Sequence, residues 1–393
     1  MQRRQALISL SAIGLGASTC LLAASGSLSR FLVVFLRGGY DACSLLAPVS
    51  SSFYYNSRPD IAIPKPSADL SAALPLTTDW GLHPALRDSL YPLYKTGELA
   101  FVPFAGTHDL SRSHFETQDS IEMGQALDGR KNYGSGFMNR LAGVLNSSTP
   151  MSFTDQLPLA MQGGVKVPNM SLRSLAKPSV DARQSSIIAA MYQSTAMGSL
   201  VAGGFSVRDE VVREMTAEMD AANRNAITAK GFELEARRIA KLMKDKFNLG
   251  FVDVGGWDTH VNQGASAGYL ASRFGELGLG LAAYAHEMGS AWRDTTVVVI
   301  SEFGRTFRQN GNRGTDHGNG TVFWIMGGSV RGNQIAGEQV RLEQATLFQN
   351  RDLPVLNEYR AVLGGLLQRQ YGLSTAQLDS VFPGAKAHDL GLL

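Results

Sequence analysis

Phe31-Leu32-Val33-Val34-Phe35-Leu36, running directly into Arg37-Gly38-Gly39-Tyr40-Asp41, is the stretch on which the fold turns. Six consecutive apolar residues without polar alternation predict a strand covered on both faces, as in a parallel sheet between helices. Leu249–Val254, Thr295–Ile300 and Val322–Met326 read the same way, and Leu99–Phe104 reads as a strand whose Pro103 marks an end or an edge. Helical spacing occupies the intervals: Pro84–Tyr94, Ser111–Met123, Val207–Phe247, Ala267–Trp292 and Asn357–Arg369. Strands alternating with helices predict an α/β protein with a mainly parallel central sheet. No repeat or linker divides the chain, so residues 29–393 are expected to form a single domain.

The composition agrees. Of 393 residues, 44% are hydrophobic and 18% charged, enough apolar material for a sizeable core. The net charge of +2 falls to zero when Arg3 and Arg4 are discounted, which leaves no basic field for nucleic acid. Two cysteines, Cys20 and Cys43, exclude a cysteine zinc cluster. Cys43 reads as a small packed side chain near a strand end.

Residues 1–26 read as an export signal. Arg3-Arg4 precede an apolar stretch through Ala24 that is weakened by Ser9, Ser11, Gly14, Gly16 and Ser18. Paired arginines before a weakly apolar stretch fit the twin-arginine route, whose translocase carries folded cargo. The stretch is too polar for a spanning helix, so no stable membrane span is expected after cleavage, and the expected location is periplasmic or secreted.

In an open parallel sheet, sites form beyond the carboxyl ends of the strands. Four such segments carry the polar chemistry: Arg37–Asp41, Thr107–Phe115, Asp253–His260 and Ser301–Thr306 followed by Thr315–Gly318. His108, His114, His260 and His317, four of the seven histidines, fall inside them. Asp, Glu and neutral His suit Zn²⁺, Mn²⁺ or another divalent ion. A serine at a helix start beside such an ion can act as a nucleophile, and arginines can hold an anionic group. Ser113, His114, Arg37 and Arg305 are therefore the catalytic candidates. Asp41, Asp258, His260, Glu302, Asp316 and His317 are the metal-ligand candidates.

Each residue also has a plainer reading. Asp41 can be a turn residue, and Asp258 a helix cap. Asp316-His317 can belong to a solvated turn, Ser113 can be a helix N-terminal hydroxyl, and Glu302 can be a buried carboxylate paired with Arg305 or Arg37. His83, before Pro84, reads as structural. The coincidence of these residues at successive strand ends carries the site reading.

Phe35-Leu36-Arg37-Gly38-Gly39-Tyr40-Asp41, Gly81-Leu82-His83-Pro84, Arg112-Ser113-His114-Phe115, Gly256-Trp257-Asp258-Thr259-His260, Ser301-Glu302-Phe303-Gly304-Arg305-Thr306 and Asp316-His317-Gly318, behind a twin-arginine signal, resemble the exported bacterial proteins of the DUF1501 family. That family is similar to the alkaline phosphatase and sulfatase superfamily. The resemblance implies a three-layer α/β/α sandwich and a pair of divalent metals (Zn, Mn, Ca or Mg) flanking a Ser or Thr nucleophile. It implies Ser113 as nucleophile, Asp41 near the first-strand carboxylate, Asp258 and His260 on one metal, and Glu302, Asp316 and His317 as further ligands. The implied activity is hydrolysis of a small anionic ester, phosphate or sulfate. Glu302-Phe303 stands where the superfamily often has an Asp-His pair, and Asp41 comes four residues past Arg37, later than in the phosphatases. Those departures motivate the alternative expectation, a non-catalytic envelope binding or assembly protein that keeps the fold.

Overall fold

The structure, a computed structural model, describes residues 29–128, 131–172, 182–207 and 231–393. The expected export signal and positions 208–230 of the expected long helical stretch lie outside the described residues.

Among the described residues the strands are β1 (Arg30–Leu36), β2 (Leu46–Ala47), β3 (Leu74–Pro75), β4 (Gly81–Leu82), β5 (Leu99–Gly106), β6 (Pro150–Ser152), β7 (Leu249–Val254), β8 (Thr295–Ser301), β9 (Thr321–Met326), β10 (Gln334–Ile335) and β11 (Asn357–Glu358). Eight of them form one mixed sheet in the order β10-β5-β9-β8-β1-β7-β6, with β11 also pairing β5. β1 pairs in parallel with β7 and β8, while β9 runs antiparallel to both β8 and β5. The sheet is therefore mainly parallel, with one reversed strand in its interior. β2, β4 and β3 make a small antiparallel sheet that the sequence did not signal, because two-residue strands carry no periodicity.

The apolar run of β1 behaves as a doubly covered strand should. Leu32, Val34 and Leu36 join a core with Ile239 and Met243 of the helix Phe232–Asp245 and with Phe274 and Leu281 of the helix Tyr269–Met288. Phe31, Val33 and Phe35 enter a second core on the opposite face, with Leu141 of the helix Phe137–Leu145 and Val362 and Leu366 of the helix Tyr359–Tyr371. Strand alternation thus divides one run between two helical layers. Each such side chain contributes about 1.5–3 kcal/mol by leaving water.

Several elements differ from expectation for local reasons. β5 lies inside the sheet, and Pro103 sits at an irregularity between its pairings with β10 and β11. There the Pro103 carbonyl accepts from Asn357 Nδ2 at 2.8 Å and Phe104 takes a φ of 53°, so the missing N–H is absorbed at a bulge. Pro84–Tyr94 divides into a 3₁₀ turn, Pro84–Leu86, and a short helix, Leu90–Lys95. The helix expected from Ser111 begins at His114, with Ser113 as its N-cap.

β9's direction positions the site. In a wholly parallel sheet the segment before a strand lies at the opposite edge from the segments after its neighbours. Because β9 is reversed, the loop leading into it, Thr315–Gly320, joins the carboxyl ends of β1, β5, β7 and β8.

Candidate metal centre

Five segments supply the site, and close backbone contact locks them together. Gly38 has a φ of 123°, and a Cβ there would lie 2.7 Å from the Asp258 backbone nitrogen. Only glycine lets the β1 end approach the Asp258 loop this closely. Arg305 and His317 form a β-bridge, and Gly304 N–H donates to the Asn319 carbonyl at 2.8 Å, so the loops after β8 and before β9 move as one unit.

Three histidines converge on Asp258. His260 Nε2 lies 2.9 Å from Asp258 Oδ1, His317 Nε2 lies 3.3 Å from the same oxygen, and His114 Nε2 lies 3.5 Å from Oδ2. His260 Nε2 and His317 Nε2 are 3.1 Å apart. Ligand atoms of His114, Asp258 and His317 all fall within 4.8 Å of one another.

The far nitrogen of each ring fixes its tautomer. His114 Nδ1 faces Glu302 Oε1 at 2.8 Å, His260 Nδ1 faces Asp316 Oδ1 at 3.2 Å, and His317 Nδ1 faces the Arg112 carbonyl at 2.9 Å. All three partners only accept, so each Nδ1 is the donor, and a ring that holds no second proton turns an Nε2 lone pair inward. Three Nε2 atoms then meet one carboxylate. His114 Nε2 is buried and has no hydrogen-bond partner. A divalent cation resolves this arrangement, and anchoring of the outer nitrogen by a carboxylate or carbonyl is the usual support of a metal-binding histidine. The donor set of three imidazoles and one carboxylate suits Zn²⁺ and related ions, so these residues fit a metal.

Glu302 and Asp316 support the ring nitrogens from behind. Glu302 is fully buried, and its Oε1 accepts from the Gly38 N–H, His114 Nδ1 and Gln118 Nε2, each at 2.8 Å. Burial works against its charge, yet these donors hold its carboxyl below the usual range. The bond to Glu302 in turn raises the His114 ring above the ordinary histidine value. At Asp258 burial opposes the charge as well, and Arg305 outweighs it, holding the carboxyl low. Burial lowers His317, which favours its neutral form.

The remaining candidates are distributed differently. Arg305 meets the cluster: its buried guanidinium donates to Asp258 Oδ1 at 2.6 Å and to the Thr315 carbonyl at 2.6 Å. Arg37 is held in a separate acidic cleft by Asp253 at 2.6 Å and Glu122 at 2.9 Å. It reaches the cluster only through Gln118, whose Oε1 accepts from Arg37 Nη1 at 2.8 Å. Asp41 lies away from the histidines. It is buried on Arg58, with bonds of 2.5 and 3.0 Å, and it also accepts from Ser44 Oγ and Gln263 Nε2, each at 2.7 Å. Burial opposes its charge and Arg58 outweighs it, so this carboxyl too is held low. Ser113, next to His114, caps its helix through a long bond from the Glu116 N–H at 3.5 Å. Cys43 is buried, and desolvation pushes its thiol up to about 12. His83 is also buried: its Nδ1 accepts from the Ala85 N–H and its Nε2 donates to the Ala265 carbonyl, both at 3.1 Å.

Sequence reasoning missed the role of His114 as a convergent donor and missed the supporting residues. Gln118 had a signal, since it lies one turn after His114 on the same helix face. Thr315 lay within a strand-end segment, whereas Gln263 and Arg58 had no signal. They join Asp41 to Arg305 through Gln263 Oε1 and Thr315 Oγ1, 2.9 Å apart, a link that only tertiary folding creates.

The fold and the site thus define a mixed α/β protein with a histidine-rich centre at the carboxyl edge of its sheet. Residues 29–382 match the family described as "Protein of unknown function (DUF1501)", and the chain belongs to that family. No curated protein matches the chain significantly. Among solved structures it is similar to a protein in the alkaline phosphatase superfamily from Vibrio parahaemolyticus, at 10% identity and a TM-score of 0.35, covering 79% of this chain and 63% of that one. It therefore spans less than two thirds of that protein's length. It is also similar to the lipoteichoic acid synthase LtaP from Listeria monocytogenes, at 8% identity and a TM-score of 0.42, covering 92% of this chain and 76% of that one. A third is the C-terminal periplasmic domain of EcEptC from Escherichia coli, in complex with Zn, at 11% identity and a TM-score of 0.31, covering 77% and 74%. Likenesses this distant carry no argument about activity. No helix among the described residues is long and apolar enough to cross a membrane.

Proposed function

We propose that this chain is a divalent-metal-dependent hydrolase of phosphate or sulfate esters, delivered to the periplasm by the twin-arginine translocase. The observation that carries the reading is the convergence of three Nδ1-anchored histidines on Asp258, with the buried His114 Nε2 lacking a hydrogen-bond partner. When bound, a divalent cation supplies Lewis-acid stabilisation of the charge that develops on the transferred group. His114, His260, His317 and Asp258 would hold it. Ser113, beside His114 and with a hydroxyl that accepts one long cap bond, is the nucleophile in this reading. Arg305 balances the charge of the anionic ester. Asp41, Glu302 and Asp316 act as supports in this reading.

One observation favours a second reading, an envelope binding or assembly protein without catalysis. Arg305 donates to Asp258 Oδ1 at 2.6 Å, so the guanidinium by itself balances the charge of the carboxylate. One experiment separates the two. Bound metal is measured on the purified protein, and aryl phosphates and aryl sulfates are assayed with wild type, Ser113→Ala and His317→Ala. The hydrolase reading expects bound metal and turnover in wild type, metal without turnover in Ser113→Ala, and loss of both in His317→Ala. Metal with no turnover on any ester supports the binding reading. Absence of metal from wild type overturns the metal site.

A further inference from the structure

We propose that Asp352 is a positioning residue for His317, acting at a distance through Arg112; the inference rests on the metal-centre reading. Asp352 lies outside every segment in which the sequence concentrates its chemistry, and its side chain is fully buried. Its Oδ2 accepts from Arg112 Nε at 3.2 Å and Nη2 at 2.8 Å, and Gln349 Oε1 accepts from the same Nη2 at 2.8 Å. The side chain of Arg112 is thus clamped from two sides.

The clamp has a backbone consequence. Arg112 takes a φ of 51°, in the left-handed region that side-chain-bearing residues rarely occupy. Such a conformation persists only where the surroundings enforce it, and it tends to mark functional positions. Here its carbonyl accepts from His317 Nδ1 at 2.9 Å. That bond places the His317 proton on Nδ1 and leaves the Nε2 lone pair facing Asp258 and His260. Without the clamp, Arg112 can relax toward ordinary backbone geometry and withdraw the carbonyl, and His317 then loses the acceptor that selects its tautomer.

The base of the clamp is itself fixed to the site. Asp352 forms a β-bridge with Thr306, the residue after Arg305, while Arg305 bridges His317. Asp352 therefore holds the loop after β5 in register with the loop before β9, the two loops that bring His114 and His317 together. His83, whose ring nitrogens meet the Ala85 N–H and the Ala265 carbonyl, serves as an internal control.

The test uses the full folded protein and two readouts, the ring-nitrogen NMR signature of each histidine in the metal-free state and Zn²⁺ affinity by competition titration. In wild type, His317 is expected as the Nδ1–H tautomer. In Asp352→Ala its ring is expected to become a tautomer mixture while His83 is unchanged, and Zn²⁺ affinity is expected to fall about 10- to 100-fold, the range typical for loss of such a support. Asp352→Asn, which keeps an acceptor oxygen for Arg112, recovers most of the affinity. If Asp352→Ala does not fold, Arg112→Ala answers instead: alanine keeps the unfavourable backbone angle but removes the clamp, and it is expected to give the same mixed signature. A wild-type His317 signature that persists in the variants overturns the proposal, as does a lowered melting temperature with unchanged Zn²⁺ affinity. If wild type binds no Zn²⁺, the metal reading fails, and the tautomer readout alone still decides the role of Asp352.

Discussion

Replacing Asp41 with asparagine separates a structural anchor from a metal ligand. The Asp41 carboxylate receives two bonds from Arg58, at 2.5 and 3.0 Å, and one each from Ser44 and Gln263 at 2.7 Å, and both members of the ion pair are essentially excluded from water. Asparagine offers one oxygen and turns an NH₂ group toward donors. Arg58 then remains charged and buried without its counter-ion, because its other partners, the Thr306 and Phe307 carbonyls, carry no charge. Breaking a buried pair from one side costs about 3–5 kcal/mol. Against a typical total of about 5–15 kcal/mol, that is about a fifth of the stability or more. Urea unfolding of wild type, Asp41→Asn, Arg58→Met and the double variant measures it. The account expects a large loss in Asp41→Asn, a double variant less damaged than the two single losses combined, and wild-type metal content per folded molecule throughout. An Asp41→Asn protein that keeps its stability and loses its metal refutes the reasoning.

Three further outcomes follow from the same structure. Burial pushes His83 down to about 4 from an ordinary 6.5, so the unfolded chain takes up a proton that the folded chain refuses. Its contribution is fully present above pH 6.5 and is lost as pH falls from 6.5 toward 4, a loss of about 3 kcal/mol by proton linkage; His83→Gln should flatten the stability difference between pH 7 and pH 4.5 relative to wild type. Gly38→Ala places a Cβ 2.7 Å from the Asp258 nitrogen at a φ of 123°, so a destabilisation of about 1–3 kcal/mol and weakened metal binding are expected, measured by urea unfolding and metal titration. The bond to Glu302 raises the His114 pKa above the ordinary histidine value, and a proton on Nε2 competes with a cation. Metal affinity should therefore decline as pH falls from above the normal histidine range, and Glu302→Gln should shift that decline to lower pH in a titration series.

The layered α/β architecture was legible because its signal is local. The runs at Phe31–Leu36, Leu249–Val254 and Thr295–Ile300 each became a strand of the central sheet. The polar strand-end segments were legible for the same reason, and the structure brings His114, Asp258, His260, Arg305 and His317 from them into one cluster. The direction of β9 was not legible, since Val322–Met326 reads identically either way and long-range pairing decides it. Nor could the sequence sort direct donors from supports. Glu302 and Asp316 look like ligands as isolated carboxylates, but the structure turns each toward the outer nitrogen of a histidine. Arg37 and Arg305 each follow a strand end and look equivalent, yet Arg37 is captured by Asp253 and Glu122 while Arg305 reaches Asp258. Such differences arise from tertiary contacts between residues far apart in sequence, and no local pattern encodes them.

The proposed metal centre comprises His114, His260, His317 and Asp258. Equilibrium dialysis of the metal-stripped protein against Zn²⁺, for wild type and Asp258→Asn, tests it most directly. Saturable binding by wild type and its loss in Asp258→Asn, with the variant still folded, are expected. Wild-type protein that takes up no Zn²⁺, or an Asp258→Asn variant that binds it equally well, would rule out the metal centre.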